Sequence, residues 1–406
     1  MSSLARLFPA LGDVHFRALW LGMLPGILAM QMFFFVNGYF AFQLTGAASS
    51  IGIIWLGFGI PNLLFALPGG VVADHYSKRR VLLITQVFLM GGAVVTALLV
   101  LTGAIMIWHM VLIGTVMGTA FTFHMPARQS FSAQLVTPAY LMNAMALNGA
   151  GLNVCRLLGP PLAAVLIGIS WINVGGTYVI MAVMFALVIF SLFRITHSGS
   201  PDGGKKTQTG FRSMIDGILY IRHNSVVLIL LIMSLAPIML GLPYQALMPV
   251  FAERVFFTGP RGLGMLMMAN GVGAMAGSLI IASLRELKNR GLVQIGLGIL
   301  FGLSLALFSL VTSYVLALAV LFVVGIASSS YLALNATLIM ENSDRGYHGR
   351  VMSIYMLTFS ALPLGNAVLS VFADSIGAPA TVGIGGLLLA GTVFIFGRLS
   401  RSYRAL

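Results

Sequence analysis

Twelve stretches of this chain are apolar for about 20 residues or more, the length a helix needs to cross a hydrocarbon layer at about 1.5 Å per residue. They run over 18–43, 50–73, 80–102, 106–126, 143–168, 172–193, 224–250, 260–283, 291–312, 314–338, 351–373 and 378–397. Composition agrees with the pattern. Hydrophobic residues make up 59% of the 406, and charged residues 8%, where a soluble domain carries about 25%. Mean hydropathy is +1.01. No soluble fold could cover so much apolar surface, so the solvent is largely lipid. The 47 glycines fit as well, because close helix approach in lipid favours small residues. The expected fold is an all-α membrane protein with 12 transmembrane helices.

The longest polar interruption, 194–223, contains the turn-rich run Ser198-Gly199-Ser200-Pro201-Asp202-Gly203-Gly204-Lys205-Lys206. It divides the chain into an N-terminal six-helix bundle (1–193), a linker (194–223) and a C-terminal six-helix bundle (224–406). After the turn comes Phe211 to Arg222, with Phe211, Ile215, Ile218 and Leu219 on one helical face. That predicts an amphipathic helix lying on the cytoplasmic membrane surface.

Charge sets the expected orientation. The formal net charge is +13. With the N-terminus inside, 19 of the 22 Lys and Arg residues fall in cytoplasmic segments, Arg128 among them. Only Arg254 and Arg261 lie opposite, and Arg156 is left within a span. This is the positive-inside bias. It accounts for the basicity through anionic headgroups and removes the need for a nucleic-acid partner. Both termini are expected to be cytoplasmic, in the inner membrane. The first apolar stretch is about 25 residues long, beyond a signal h-region of roughly 7–15, so it reads as a retained span. The single cysteine, Cys155, excludes an internal disulfide and a cysteine metal cage.

The halves look related. Ala144-Met-Ala-Leu147 opens span five and Val351-Met-Ser-Ile354 opens span eleven. Leu158-Gly159 and Leu364-Gly365 follow them. The offsets, 144 to 351 and 158 to 364, are 207 and 206 residues, about half the chain. Two related halves around a midplane site are the transporter arrangement.

Gly70-Val-Val-Ala-Asp74-His-Tyr-Ser-Lys78-Arg79-Arg80 lies between spans two and three. It resembles the signature of that loop in the major facilitator family, with His75 and Ser77 where the family has a basic residue and a glycine. The second-half loop, around Gly277 to Gly291, keeps Arg285, Lys288 and Arg290 without the aspartate. Further segments are similar to the drug:proton antiporter-3 branch, which includes the enterobactin exporter and macrolide efflux proteins. These are Gln43-Leu-Thr-Gly46, Pro126-Ala-Arg-Gln129, Asn153-Val-Cys-Arg156-Leu-Leu-Gly159-Pro160, Asp216-Gly217 with Tyr220-Ile-Arg222, and Gly349-Arg-Val-Met-Ser353. The resemblance covers nearly the whole chain in order. It implies the major facilitator fold, two pseudo-symmetric six-helix halves.

The resemblance also implies a cytoplasmic gate, in which Asp74 meets the N-terminus of span eleven near Gly349 and Arg350, with Gly70, Lys78, Arg79 and Arg80 around it. A carboxylate at a helix N-terminus gains roughly 0.3–1 kcal/mol when exposed, weak enough to switch. Arg156, about 20 Å into span five, needs a wet cavity or polar partners, because a bare guanidinium there costs at least about 2.5–3.5 kcal/mol. It reads either as a packing lock with Asn153 or as a cargo contact. Asn153 beside it is also an expected cavity residue, as are Gln31, Asn37, Gln245 and Asn335 on the spans that line the family's cavity. Gly159-Pro160 is expected to interrupt span five and to pack on span eight through Gly273 and Gly277.

None of the nine acids lies deep in a span, and His109 and His124 fall near the ends of span four. Proton coupling is therefore implied by the resemblance alone. No Gly-rich phosphate loop, metal-spaced cluster or nucleophile–base arrangement stands out, so no cofactor, metal or enzymatic activity is expected. The expectation is a secondary transporter, exporting a drug, macrolide or siderophore. Its partners would be a small amphipathic organic substrate, the bilayer and protons, and the protein would work as a monomer. A lysophospholipid flippase is the alternative, and a non-transporting sensor or scaffold the alternative from another class.

Overall fold

The computed structural model describes residues 8–196, 210–284 and 289–399, with the side chains of 67, 73, 74 and 210–215 outside the description. Twelve helices are long and apolar enough to cross a membrane, and no strand occurs among the described residues. Spans one to six are Val14–Thr45, Ala48–His75, Lys78–Leu101, Ile107–Gln134, Leu141–Ile167 and Asn173–Arg194. Spans eight, nine, ten and twelve are Gly259–Ser283, Arg290–Leu310, Tyr314–Glu341 and Ala378–Leu399. Spans seven and eleven are composite. The fold is that of an all-α membrane protein.

Departures from the expected spans have local causes. Span four continues to Gln134 rather than ending at 126. Pro126 lacks only one backbone donor, which membrane helices tolerate. The added turns bury Ala127 and Phe131 against Phe16, Leu82 and Leu147. Arg128 is therefore helical and buried, not a loop cation. Span five runs unbroken through Pro160 and Pro161. Span seven is α over Ser225–Ala236, π over Pro237–Gly241, α over Tyr244–Val250 and π over Phe251–Val255. The Leu242 N–H reaches the Pro237 carbonyl at 2.7 Å, five residues back, as suits a run where prolines 237, 243 and 249 remove donors. Span eleven has a 3-10 turn, Phe359–Ala361, between His348–Thr358 and Leu362–Ile376. The ring of Pro363 would clash with an α-type carbonyl at Phe359.

The chain forms two compact units. The first is Met1–Phe40 with Gly57–Thr207, and the second is Ala41–Leu56 with Gln208–Leu406. The first is built on Phe16, Leu19, Leu82, Phe131 and Leu192, the second on Leu230, Leu338, Val351 and Tyr355. Each is held by glycine crossings. A Cβ at Gly118 of span four would stand 2.3 Å from the Phe58 carbonyl oxygen of span two. A Cβ at Gly325 of span ten would stand 2.1 Å from the Asn270 oxygen of span eight. Position 325 is 207 residues beyond 118, the spacing that relates spans five and eleven. Spans three and nine likewise bury a glutamine each, Gln86 and Gln294, 208 residues apart. Equivalent spans carry equivalent packing devices.

The helix Gly210–His223 belongs to the second unit. Tyr220 stacks on Tyr347 at 4.2 Å and accepts the Asp344 N–H at 2.8 Å. Ile221 is buried, and Gly217 sits against Arg350. Ile218 and Leu219 remain exposed, as a face toward lipid requires. Phe211 and Ile215, expected on that same face, lie outside the described side chains.

Candidate functional site

Span five presents three rows of side chains, and their contrast locates the site. The buried row faces span one. The Trp20 indole donates to the Leu147 carbonyl at 2.9 Å, and the Cys155 thiol lies 3.6 Å from the Leu24 carbonyl. A Cβ at Gly151 would meet Leu24 at 2.9 Å, and one at Gly159 would meet Gln31 at 2.5 Å. The second row is open and wholly apolar: Ala150, Val154, Leu158 and Leu162. The third row, Gly149, Asn153 and Arg156, is also open, and its two side chains, Asn153 and Arg156, are polar. Val154 and Arg156 are two residues apart, hence about 200° apart around the helix.

An apolar open row suits lipid. An open guanidinium does not, since charged side chains within spans face a bundle interior or a water-filled cavity. Arg156 forms no hydrogen bond or ion pair with a described residue, and a Cβ at Gly149 meets nothing within 4 Å. A lock with Asn153 is thus not what the structure displays. Within the same unit, half-buried Phe34 and Phe121 flank Phe58 at 5.0 and 5.7 Å between ring centroids, an aromatic cluster drawn from spans one, two and four.

The other expected cavity residues divide. Gln31 and Gln245 are half-buried. Asn37 is buried and accepts the Tyr178 hydroxyl at 2.6 Å. Asn335 is wholly buried and accepts the Gln294 amide at 2.6 Å. These two asparagines fasten helices within their own units, the usual way a polar group is satisfied in a bundle, instead of lining an open surface. Gly273 and Gly277 press on the Phe322 and Ile326 carbonyls of span ten, and Gly159 presses on span one. These are close contacts within each unit; the expected pairing of Gly159-Pro160 with span eight stays a proposal.

Of the expected gate, Asp74 lies in the last turn of span two, and its side chain lies outside the described residues. Lys78 is buried and Arg80 exposed. Arg79 donates to the carbonyls of Leu192 at 2.9 Å and Phe193 at 3.2 Å, at the C-terminus of span six. There a cation meets carbonyls of the last turn and the negative end of the helix dipole. Arg350 lies 5.2 Å from the Tyr347 ring. Gly70 and Gly349 are open, with nothing within 4 Å of a built Cβ.

Three features escaped sequence reasoning. His124, expected near an end of span four, is buried mid-helix with Nδ1 3.1 Å from the Thr85 hydroxyl. That hydroxyl also lies 2.9 Å from the Val81 carbonyl. Once its one proton is spent there, Nδ1–H is the donor to Thr85. Arg128 follows one turn later, 8% exposed, with no ion-pair partner among the described residues. The Pro126-Ala-Arg-Gln129 run had marked the place, but not that it was helical. The third is the pair Asp374 and Arg254, which bond the turn between spans one and two.

Comparison with known proteins completes the assignment. The profile of the major facilitator family described as transmembrane secretion effector matches residues 5–403. The chain is 25% identical over 354 residues to the staphyloferrin A transporter of Staphylococcus aureus, covering 85% of this chain and 86% of that one. It is 23% identical over 370 residues to the multidrug efflux pump Tap of Mycolicibacterium fortuitum, covering 87% and 88%. Among solved structures, a variant of the nucleoside transporter NupG superposes with a TM-score of 0.76 at 13% identity, over 96% of this chain and 99% of that one. A bacterial homologue of Spinster in an inward-facing, unoccupied conformation gives 0.72 at 14%, over 96% and 95%. The chain is a multi-pass membrane transporter and belongs to the transmembrane secretion effector family of the major facilitator superfamily.

Proposed function

We propose that this transporter exports an amphipathic organic molecule, neutral or anionic, from the cytoplasm across the inner membrane by alternating access, with Arg156 as the cargo anchor and protons as the coupling ion. The observation that carries the proposal is the polar open row of span five. A guanidinium held open beside Asn153, opposite the apolar row of Ala150, Val154, Leu158 and Leu162, is a fixed positive charge with unused donors. It suits a carboxylate, phenolate or polar carbonyl. The half-buried Phe34 and Phe121 offer apolar area to the rest of such a molecule. With both termini cytoplasmic, the basic loops face the cytoplasmic leaflet. The two relatives bracket the cargo range, since one is named for a single compound and the other for many drugs. His124, beside the Thr85 hydroxyl, is the titratable group best placed within a span to serve coupling.

The test is proton movement in energised everted vesicles. A pH-sensitive dye follows the gradient while a carboxylate siderophore, a macrolide, a cationic dye and a lysolipid are added singly. The expected result is dissipation by an anionic or neutral compound, abolished in Arg156→Ala and partly kept in Arg156→Lys. Dissipation that survives Arg156→Ala would refute the anchor. Dissipation by the cationic dye alone would refute the cargo class, and by the lysolipid alone would make the protein a lipid mover.

A further inference from the structure

The segment Ala41–Leu56 packs in the second unit, although the remainder of spans one and two lies in the first. Its attachments are specific. Asp374, in the last turn of span eleven, sets both carboxylate oxygens on the N-terminus of span two. The Ala48 N–H donates to Oδ1 at 2.6 Å, and the Ser49 N–H to Oδ2 at 2.9 Å. These are first-turn N–H groups with no intrahelical acceptor, at the positive end of the helix dipole. Arg254, in the second π segment of span seven, donates to the Gly46 carbonyl at 2.6 Å and lies 4.9 Å from the Phe42 ring. Gly46 itself has φ of +70°. A Cβ at Gly52 would stand 2.8 Å from the Cα of Ala367, so this end of span two also rests directly on span eleven.

The turn keeps its shape by its own bonds. Thr45 and Ser50 join hydroxyls at 3.0 Å, and Ser50 reaches the Ala47 carbonyl at 2.7 Å. Asp374 and Arg254 therefore hold a preformed turn in place and are not needed to shape it. Arg254 is also one of the two cations that the charge bias leaves on the non-cytoplasmic side.

We infer that Asp374 and Arg254 form a latch that keeps the non-cytoplasmic end shut, and that the 41–56 turn must leave it before cargo can exit there. The inference rests on the proposed orientation. It also completes a pattern. The last turn of span two holds Asp74, which the family resemblance directs to the N-terminus of span eleven, while that of span eleven holds Asp374, bonded to the N-terminus of span two. Each helix carries at its C-terminus the acid for the other's N-terminus. Alternating access would engage one clasp as the other parts.

The experiment uses full-length protein with Cys155→Ala and a reporter thiol, Gly149→Cys, on the open row of span five. A membrane-impermeant maleimide is added to right-side-out vesicles. Asp374→Ala and, separately, Arg254→Gln should speed labelling by about fivefold or more, the scale of a modest coupling between states, with Asp374→Asn in between. An unchanged rate in both variants, with thermal unfolding showing folded protein, would overturn the latch. Acceleration confined to everted vesicles would keep the latch and reverse the orientation. No cargo is needed, so failure here is separable from failure of the transport reading.

Discussion

Substituting Gly118 by alanine tests how the bundle is held. The new Cβ would lie 2.3 Å from the Phe58 carbonyl oxygen and 3.0 Å from its carbon. Both are backbone atoms, so no rotamer change relieves the clash. Span four must draw back from span two by about 0.7 Å merely to reach a 3.0 Å contact, and overpacking of this kind costs about 1–3 kcal/mol. Alanine also adds about 0.5–1 kcal/mol of helix preference over glycine, which would blur the result. Gly149→Ala removes that ambiguity. It gains the same preference on a neighbouring helix, where a Cβ meets nothing within 4 Å. The difference between the two variants isolates the clash. In a unit of 150–250 residues, about 2–4 °C accompanies each kcal/mol, so Gly118→Ala should melt about 2–12 °C below Gly149→Ala. The single cysteine supplies the assay, because Cys155 is buried in the same unit. Its reaction with a fluorogenic thiol dye on heating in detergent reports opening of that unit. Phe58→Ala should not rescue the variant, since the clash is with the carbonyl. Coincident melting of the two alanine variants would refute the reasoning.

Three further outcomes are expected. Asn335→Leu should destabilise the detergent-solubilised protein by about 1–3 kcal/mol, because it strands the buried Gln294 amide. Adding Gln294→Leu should restore most of the loss, and no recovery in the double variant would count against the pair. Arg79→Ala should lower the melting temperature by removing charge-assisted bonds worth about 1.5–3 kcal/mol from the end of span six. Reduced transport with an unchanged melting temperature would instead make Arg79 part of the gate. Tyr220→Ala should hasten tryptic cleavage at the exposed Arg222 by freeing the Gly210–His223 helix, with Tyr220→Phe smaller because the stack on Tyr347 survives. Equal cleavage in all three proteins would mean that this contact does not hold the helix.

The spans were legible because lipid imposes one rule on every residue of a crossing helix. Their ends were less so. Residues 127–134 carry Arg128, Gln129 and Gln134 and read as loop, yet the helix continues because Ala127 and Phe131 meet Phe16 and Leu82. Polar positions within spans were legible as needing a partner, not as to which partner. Spans one and ten are apolar on all sides, so no periodicity tells the face of Asn37 from that of Gln31. Only packing shows that Tyr178 uses the first. Arg156 stood out in the sequence for the opposite reason. A guanidinium allows few environments in a membrane, and flanking residues at helical spacing separate its open row from the apolar one.

The same logic distinguishes the cations that stand apart from the basic loops. In a chain with 8% charged residues, a charge against the topological bias invites a specific explanation. Arg156 has the open row of span five, and Arg254 has Gly46, Phe42 and the turn they hold. Arg261, near the start of span eight, is exposed and has no hydrogen-bond or ion-pair partner among the described residues. Position alone would rank Arg254 and Arg261 together, since both lie where the bias predicts few cations. Geometry separates them, because only Arg254 donates to a backbone carbonyl. Arg261→Gln should accordingly leave reporter labelling, melting temperature and transport at parental values, while Arg254→Gln changes the first. Equal effects of the two substitutions would mean that net charge on that side, not the bond to Gly46, sets the equilibrium, and the latch would reduce to a field effect screened by salt within about a Debye length of 8–10 Å.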